Sequence, residues 1–143
     1  MASRNFTHLT QHLARARVDY GADAFKAIIV GAIPTETQLD TWDFLNDLTI
    51  EIGASGGYSA GGFIVTPTVG SIDAANNRIP ITFAAATPTY ENATISGVGC
   101  VIYKVGGNAA SSPLLHFVDW NGTVTSTNGN FQATFSTPFF IQG

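Results

Sequence analysis

The sequence has 143 residues, the usual length of one domain, and no repeat, linker or run of charge divides it. Only 11% of its residues are Asp, Glu, Lys or Arg, against about 25% in an average soluble protein. With six basic residues and a net charge of −4 it lacks the basic patch of a nucleic-acid-binding protein, and an apolar fraction of 45% excludes a disordered chain.

The apolar stretches are short. The longest nearly uninterrupted one runs from Ala27 to Ile33, far less than the roughly 20 residues that span a membrane. The first residues form no apolar signal core, so we expect synthesis in the cytoplasm and no membrane partner. The single cysteine, Cys100, lies in the run GVGCVIY and is expected to be a small core residue. We expect no cofactor, because the size of the domain permits a core without one.

Apolar residues recur at helical spacing near the N-terminus, at Phe6, Leu9, Leu13, Ala16 and Tyr20. This stripe predicts a helix over about the first 17 residues, broken at Gly21. We therefore expect a single domain made of an N-terminal helical arm, residues 1–20, and a β-rich body, residues 24–143. A lone helix of this length is marginal, so the arm is expected to be dispensable for folding and to serve in docking.

Two further elements precede the main β region. The run FKAIIVGAI is apolar at nearly every position, which predicts a strand covered on both faces and ended by Pro34. Leu39, Trp42, Leu45 and Leu48 follow at helical spacing and predict a short amphipathic helix.

From Thr49 onward, β-branched and aromatic runs alternate with turn residues, which predicts six or seven short strands. The pairs Asn121-Gly122 and Asn128-Gly129 favour type I′ turns and predict tight hairpins. The expected fold is mainly β, an antiparallel sandwich or jelly-roll-like domain, or a barrel.

Gly57-Tyr58-Ser59-Ala60-Gly61 matches the G-x-S-x-G pattern of hydrolases formally. That motif requires a helix after the serine, whereas FIVTPTV predicts a strand. The triad would also need Asp73 or Asp119 with His116. We therefore interpret the segment as a glycine-rich turn and predict that no catalysis depends on Ser59; a small hydrolase is the alternative.

The clustered histidines and the clustered acids are both interpreted as solvent-exposed surface residues. His8 and His12 have metal-ligand spacing, with His116 as a conceivable third ligand, but a solvated helix face is favoured and no metal is expected. Five acids are concentrated before and after the second helix, which we interpret as a solvated face, with docking of a basic partner as the alternative. They are Glu36, Asp40, Asp43, Asp47 and Glu51.

The C-terminal sequence STPFFIQG places Phe139, Phe140 and Ile141 close to the chain end, where segments fray unless they are held. A last strand that completes the core is favoured, and insertion into a neighbouring protein is the alternative.

The loop Gly53–Gly62 resembles the Ser-Gly-x-Gly-Tyr-x-Ala-Gly-Gly pattern of small structural proteins encoded among the virion genes of tailed bacteriophages. Here Ser55-Gly56 is followed directly by Gly57-Tyr58, so the loop is one residue shorter. Three further segments occur in the same order as in such proteins, and the resemblance spans about Phe44 to Phe135. The segments are Val101–Lys104 before a glycine turn, Ser112–Leu115 leading into Phe117–Asp119, and Ser126–Phe131.

The resemblance implies a non-enzymatic virion component, best assigned as a cement protein that decorates and stabilises the capsid exterior. Its expected partner is the major capsid protein or another virion protein. A homo-oligomer is also expected, because apolar residues lie near both chain ends and the sparse surface charge does little to oppose self-association. Tail, neck or fibre-base roles are alternatives. So is a carbohydrate-binding host-recognition module that stacks sugars on Trp42, Tyr58, Tyr90 or Trp120.

The residues expected to contact partners are the stripe and bases of the arm together with the terminal aromatics. They are Arg4, Phe6, Leu9, Leu13, Arg15, Arg17, Phe139 and Phe140.

Overall fold

The computed structural model describes residues 3–85, 89–133 and 138–142. Within them lie seven strands, two α-helices and two single 3-10 turns, at Leu45–Asp47 and Ala109–Ser111. In chain order the strands and helices are β1 (Arg4–Asn5), α1 (Leu9–Ala14), β2 (Phe25–Val30), α2 (Glu36–Thr41), β3 (Phe63–Val69), β4 (Arg78–Ala85), β5 (Thr89–Lys104), β6 (Leu114–Gln132) and β7 (Phe139–Gln142).

The strands form one antiparallel sheet in the order β1-β6-β5-β2-β3-β4-β7. The sheet curls until its two end strands nearly meet: Asn5 Nδ2 in β1 donates to the carbonyl oxygen of Phe140 in β7 at 3.0 Å. We call this contact the seam. The mainly β, antiparallel prediction is confirmed, and its form is a nearly closed barrel.

β2 has a buried side chain on both faces, as predicted. Phe25, Ala27 and Ile29 belong to the inner core, the apolar cluster inside the barrel. Ile28 and Val30 belong to the outer core on the opposite face, which is covered by Leu39 of α2. Cys100 is fully buried in the inner core, as expected. The continuous apolar pattern therefore reflects two cores that share one strand.

The N-terminal helix is much shorter than predicted. It cannot begin before Leu9, because Arg4 and Asn5 pair with β6 and the amide of Phe6 donates to Leu115 O at 2.9 Å. It ends in a Schellman motif: Ala16 adopts a left-handed φ of 53°, and Arg17 N donates to His12 O at 2.9 Å.

The N-terminal residues are also not a detached arm. Phe6 is 1% exposed and lies in the outer core, and Leu9 is 3% exposed and lies in the inner core. The apolar stripe is real, but its partner is the barrel of the same chain. Residues 4–20 are therefore part of the domain. We now expect them to be required for folding, rather than dispensable.

The second predicted helix is shifted toward the N-terminus. α2 starts at Glu36 because Thr35 caps it: Gln38 N donates to Thr35 Oγ1 at 3.1 Å, and Thr35 N donates to Gln38 Oε1 at 2.9 Å. The backbone becomes extended at Trp42, where α2 ends. The rest of the predicted helix contains only one 3-10 turn. The helical spacing of Leu39, Trp42, Leu45 and Leu48 identified side chains that pack in or against the outer core. The capping box at Thr35 determines where the helix starts.

The prediction of tight hairpins at the two Asn-Gly pairs is wrong. Both pairs lie inside β6, which runs without a turn beside β5, and Asn121 and Asn128 have φ of 57° and 44°. The register shifts between Gly97 and Gly99 and again between Ala93 and Ile95 of β5 place these pairs at bulges. Bulges bend and twist long strands, which a nearly closed barrel requires.

The C-terminal segment does form a last strand, as favoured: β7 pairs with β4, and Phe139 is 5% exposed.

Among the described residues, no helix is both long enough and apolar enough to cross a membrane.

Candidate partner-binding surface

The predicted partner-binding residues differ in how far they are buried within this chain. Phe6, Leu9 and Phe139 are buried inside this chain, so the structure corrects their assignment to a partner interface. Leu13 packs against the inner core, and the Phe140 ring lies 3.6 Å from the Arg78 guanidinium carbon. The apolar residues near both ends thus have partners within the domain, which removes one of the two arguments for a homo-oligomer. The other, sparse surface charge, remains.

The three predicted arginines are all at least partly accessible. Arg4 pairs with Glu36, and Arg15 is exposed. Arg17 is half-buried, with its guanidinium 5.5 Å from the centre of the Phe44 ring. Arg17 also lines a cavity, together with Phe44 and Lys104.

His116 lies fully buried at the seam in a chain of hydrogen bonds. Its Nδ1 donates to Asn5 Oδ1 at 2.7 Å, and its Nε2 accepts from the Tyr20 hydroxyl at 2.8 Å. Because an amide oxygen only accepts, Nδ1 carries a proton. The ring stacks on Phe139 at 4.3 Å, and burial lowers the pKa of His116 to about 3, which favours the neutral ring with Nε2 unprotonated. His116 therefore holds the barrel closed.

The other two histidines share one carboxylate. His8 Nδ1 lies 3.3 Å from Asp43 Oδ2, and His12 Nε2 lies 2.7 Å from Asp43 Oδ1. Burial lowers the pKa of His12, while Asp43 opposes the shift. His116 is engaged at the seam instead, and no group of three His, Cys, Asp or Glu side chains among the described residues is arranged so that it could hold a metal ion.

The five clustered acids all make contacts within the domain, and Glu36 and Asp40 among them remain exposed. Glu36 pairs with Arg4, Asp40 accepts from the Thr7 hydroxyl at 2.7 Å, and Asp43 faces the two histidines. Asp47 accepts from the Asp43 amide at 2.9 Å, and Glu51 accepts from the Tyr58 hydroxyl at 2.8 Å. Each carboxylate fixes a loop or a helix end.

The glycine loop fills a gap in the sheet. β2 pairs with β3 only as far as Ala27, and beyond that point the amide of Ile29 donates to the Tyr58 hydroxyl at 3.0 Å. Burial and the neighbouring Glu51 carboxylate raise the pKa of that hydroxyl. Tyr58 reaches this position through a tight turn at Gly56 and Gly57, which have φ of 55° and 95°. The loop is structural.

Ser59 lies exposed in this loop, and strand β3 follows it, as the sequence indicated. The hydrogen-bond and ion-pair partners of the three histidines are given above, and Ser59 is not one of them. The arrangement that a Ser-His nucleophile needs is thus not formed at this serine.

Replacing Gly62 by alanine is expected to destabilise the protein by at least about 2 kcal/mol. Its φ is 83°, and a Cβ atom would lie 1.9 Å from Ala27 O, in the backbone of β2. Gly53→Ala is the matched control, because a Cβ there has no neighbour within 4 Å, and its effect should be within about 0.5 kcal/mol. Urea unfolding measures both, and equal stabilities would contradict the close packing of the loop on β2.

The aromatic residues proposed for sugar stacking differ in exposure. Tyr58 is 2% exposed, whereas Tyr90 and Trp120 are partly buried against the inner core and Trp42 against the outer core. A stacking platform needs an open ring face, so Tyr58 does not provide one.

The outer side of β6 is open. β1 pairs with β6 only at His116 and Phe117, and Ser3 accepts a hydrogen bond from the Asp119 amide at 2.9 Å. From Asn121 to Asn130 no described strand pairs with this side, and the segment carries no charged side chain and no proline. We call it the open edge. Val124 within it is 41% exposed.

Open strand edges normally carry charges, prolines or bulges that prevent pairing with another chain. Here three irregularities in the pairing with β5 are the only such feature in the described edge. The open edge thus offers backbone donors and acceptors to a partner at little cost in desolvated charge.

No protein-family model matches the chain, and comparisons with curated proteins and with solved structures give no match either.

Proposed function

We propose that this protein is a structural component of a tailed-bacteriophage virion that binds the outside of the assembled capsid as a cement protein. The proposal joins two independent supports. One is the resemblance of the glycine loop and the following segments to phage virion proteins. The other, which carries the argument from the structure, is the uncharged open edge of β6.

The open edge suits a repeated and individually weak interface. Each backbone hydrogen bond to a partner strand contributes roughly 0.5 to 1.5 kcal/mol net, so a few of them give a modest affinity. A capsid offers many equivalent positions, and binding to the assembled state stabilises it by mass action. A non-catalytic role is consistent with the three histidines, whose described partners do not include Ser59.

The test is co-sedimentation of the purified protein with capsids that lack it. Wild-type protein is expected to sediment with the capsids, whereas Thr123→Lys with Thr125→Lys should weaken binding at least about tenfold, because two charges on an edge oppose strand pairing. The matched control is Thr66→Lys with Thr68→Lys, at two exposed threonines of β3 with the same spacing.

Each result bears on a different part of the proposal. Failure of the wild-type protein to bind capsids, with binding to isolated tails instead, would place it elsewhere in the particle. Equal loss of binding in the β3 control would show that added charge, rather than the open edge, matters. Light scattering on the same proteins reports whether the edge also pairs with a second copy, as a homo-oligomer requires.

A further inference from the structure

A cavity of about 290 Å³ opens beside the end of β5. It is lined by Arg17, Phe44, Lys104, Ala110, Ser111 and Pro113. Two of the six basic residues in the chain therefore meet at one cavity whose lining contains no acidic side chain, although the net charge of the protein is −4.

The Arg17 guanidinium is held in place but not neutralised. It lies over the Phe44 ring, and its Nη1 donates to His12 Nδ1 at 3.3 Å. Within residues 3–85, 89–133 and 138–142, no carboxylate lies within ion-pairing distance of it. Of the five N–H donors of a guanidinium, four remain for a ligand or water.

The neighbouring groups explain why Arg17 has no acid of its own. Asp43 is engaged by His8 and His12, as described above, and burial favours the neutral form of His12 by lowering its pKa. Asp23 lies 3.6 Å from Lys104 Nζ, which also donates to the backbone oxygen of Arg17 at 2.7 Å. Lys104 thus brings a partly balanced second cation next to the guanidinium.

We propose that this cavity binds the carboxylate of an Asp or Glu side chain presented by the partner protein, an inference that rests on the proposed function. A planar guanidinium matches the two oxygens of a carboxylate, with Lys104 as a second positive charge. The ring of Phe44 and the apolar surfaces of Ala110 and Pro113 would contact the methylene groups of that side chain.

A carboxylate fits better than a phosphate. Phosphate sites usually gather several free backbone N–H groups, whereas the amides of Arg17, Lys104 and Ser111 in this lining are hydrogen-bonded within the domain. For a protein with an acidic net charge, one cationic cavity also orients an acidic partner, because the rest of the surface repels it weakly.

The direct test is an NMR titration of the full chain with sodium acetate, sodium phosphate and sodium chloride at equal ionic strength. Acetate is expected to shift the side-chain Nε–H of Arg17 and the amides of Phe44 and Ser111 in a saturable way. Arg17→Gln should abolish these shifts, and Arg17→Lys, which keeps the charge but loses the planar donor pair, should retain only part of them. Lys26→Gln is the control for net charge and should titrate like the wild type.

Tighter saturable shifts with phosphate than with acetate would overturn the choice of a carboxylate, and equal shifts with chloride would overturn a specific site. Thermal unfolding of each variant checks that the fold persists, and the Arg17→Lys result still decides if Arg17→Gln does not fold.

Capsid co-sedimentation separates this inference from the proposed function. If wild-type protein binds capsids, Arg17→Gln should bind about tenfold more weakly than Lys26→Gln. Equal binding of those two variants would refute the docking role of the cavity and leave the proposed function standing. If wild-type protein does not bind capsids, the proposed function fails, while the acetate titration still tests the cavity.

Discussion

Deletion of residues 1–22 is expected to unfold the protein. The deletion removes β1 and the buried side chains of Phe6 and Leu9, each worth about 1.5 to 3 kcal/mol when fully buried, and it removes Asn5 and Tyr20 from the seam. A domain of this size has a net stability of about 5 to 15 kcal/mol, so the loss approaches the total. Far-UV circular dichroism and urea unfolding measure the outcome.

Point variants make the same test without shortening the chain. Phe6→Ala should cost about 3 to 5 kcal/mol, because it leaves a cavity in the outer core, whereas Thr10→Ala, at an exposed position of α1, should cost less than about 0.5 kcal/mol. A truncated chain that keeps its β spectrum and unfolds cooperatively would restore the separable arm that the sequence suggested.

Acid is expected to destabilise the protein through His116 well above the pH at which carboxylates protonate. The pKa of His116 is lowered to about 3 in the folded state, against about 6.5 in the unfolded chain. The unfolded state therefore binds one more proton between these values, and stability is complete above pH 6.5 and falls as the pH drops toward 3. The full shift corresponds to about 5 kcal/mol.

His116→Gln is the matched variant for this prediction. A glutamine side chain can donate to Asn5 Oδ1 and accept from Tyr20, but it does not titrate. Since burial also lowers the pKa of His12, both proteins should lose some stability in acid, and the difference between them isolates His116. Parallel curves of unfolding free energy against pH for the two proteins would mean that His116 is protonated without cost, contrary to its burial at the seam.

The parts of the fold that follow from local pattern were predictable. β3 and β4 run over the residues that their β-branched content marked, β2 is apolar on both faces because two cores cover it, and β7 closes the body. The structure of the N-terminal residues was not predictable from local pattern. A helical stripe fits their sequence equally well, and the pairing of Arg4 with Phe117 is a long-range contact.

Two local signals were ambiguous in a way that only tertiary structure resolves. An Asn-Gly pair supplies positive φ, which a bulge in a long strand needs as much as a hairpin turn does. The end of α1 has no such local signal: Ala16 takes the left-handed position where a glycine is usual, so no residue type marks where the helix stops.

The candidate surface was predicted least well. Apolar residues near chain ends can fill their own core or a neighbour, and here Phe6, Leu9 and Phe139 fill their own. Arg17 was among the predicted contacts, but its importance depends on Phe44 and Lys104, which lie far along the chain. The open edge had no sequence signal beyond the lack of charge, because an edge is defined by the neighbour that a strand does not have.

The seam also dictates when folding can finish during translation. Its hydrogen bond joins residues 135 positions apart, so the barrel cannot close while the segment containing Phe140 is still inside the ribosome. At a synthesis rate of roughly 5 to 20 residues per second, Phe6 and Leu9 wait on the order of ten seconds for β6 and β7. Nascent chains therefore pass through a stage in which these two apolar side chains have been made but the strands that cover them have not, and a chaperone can bind them during that stage.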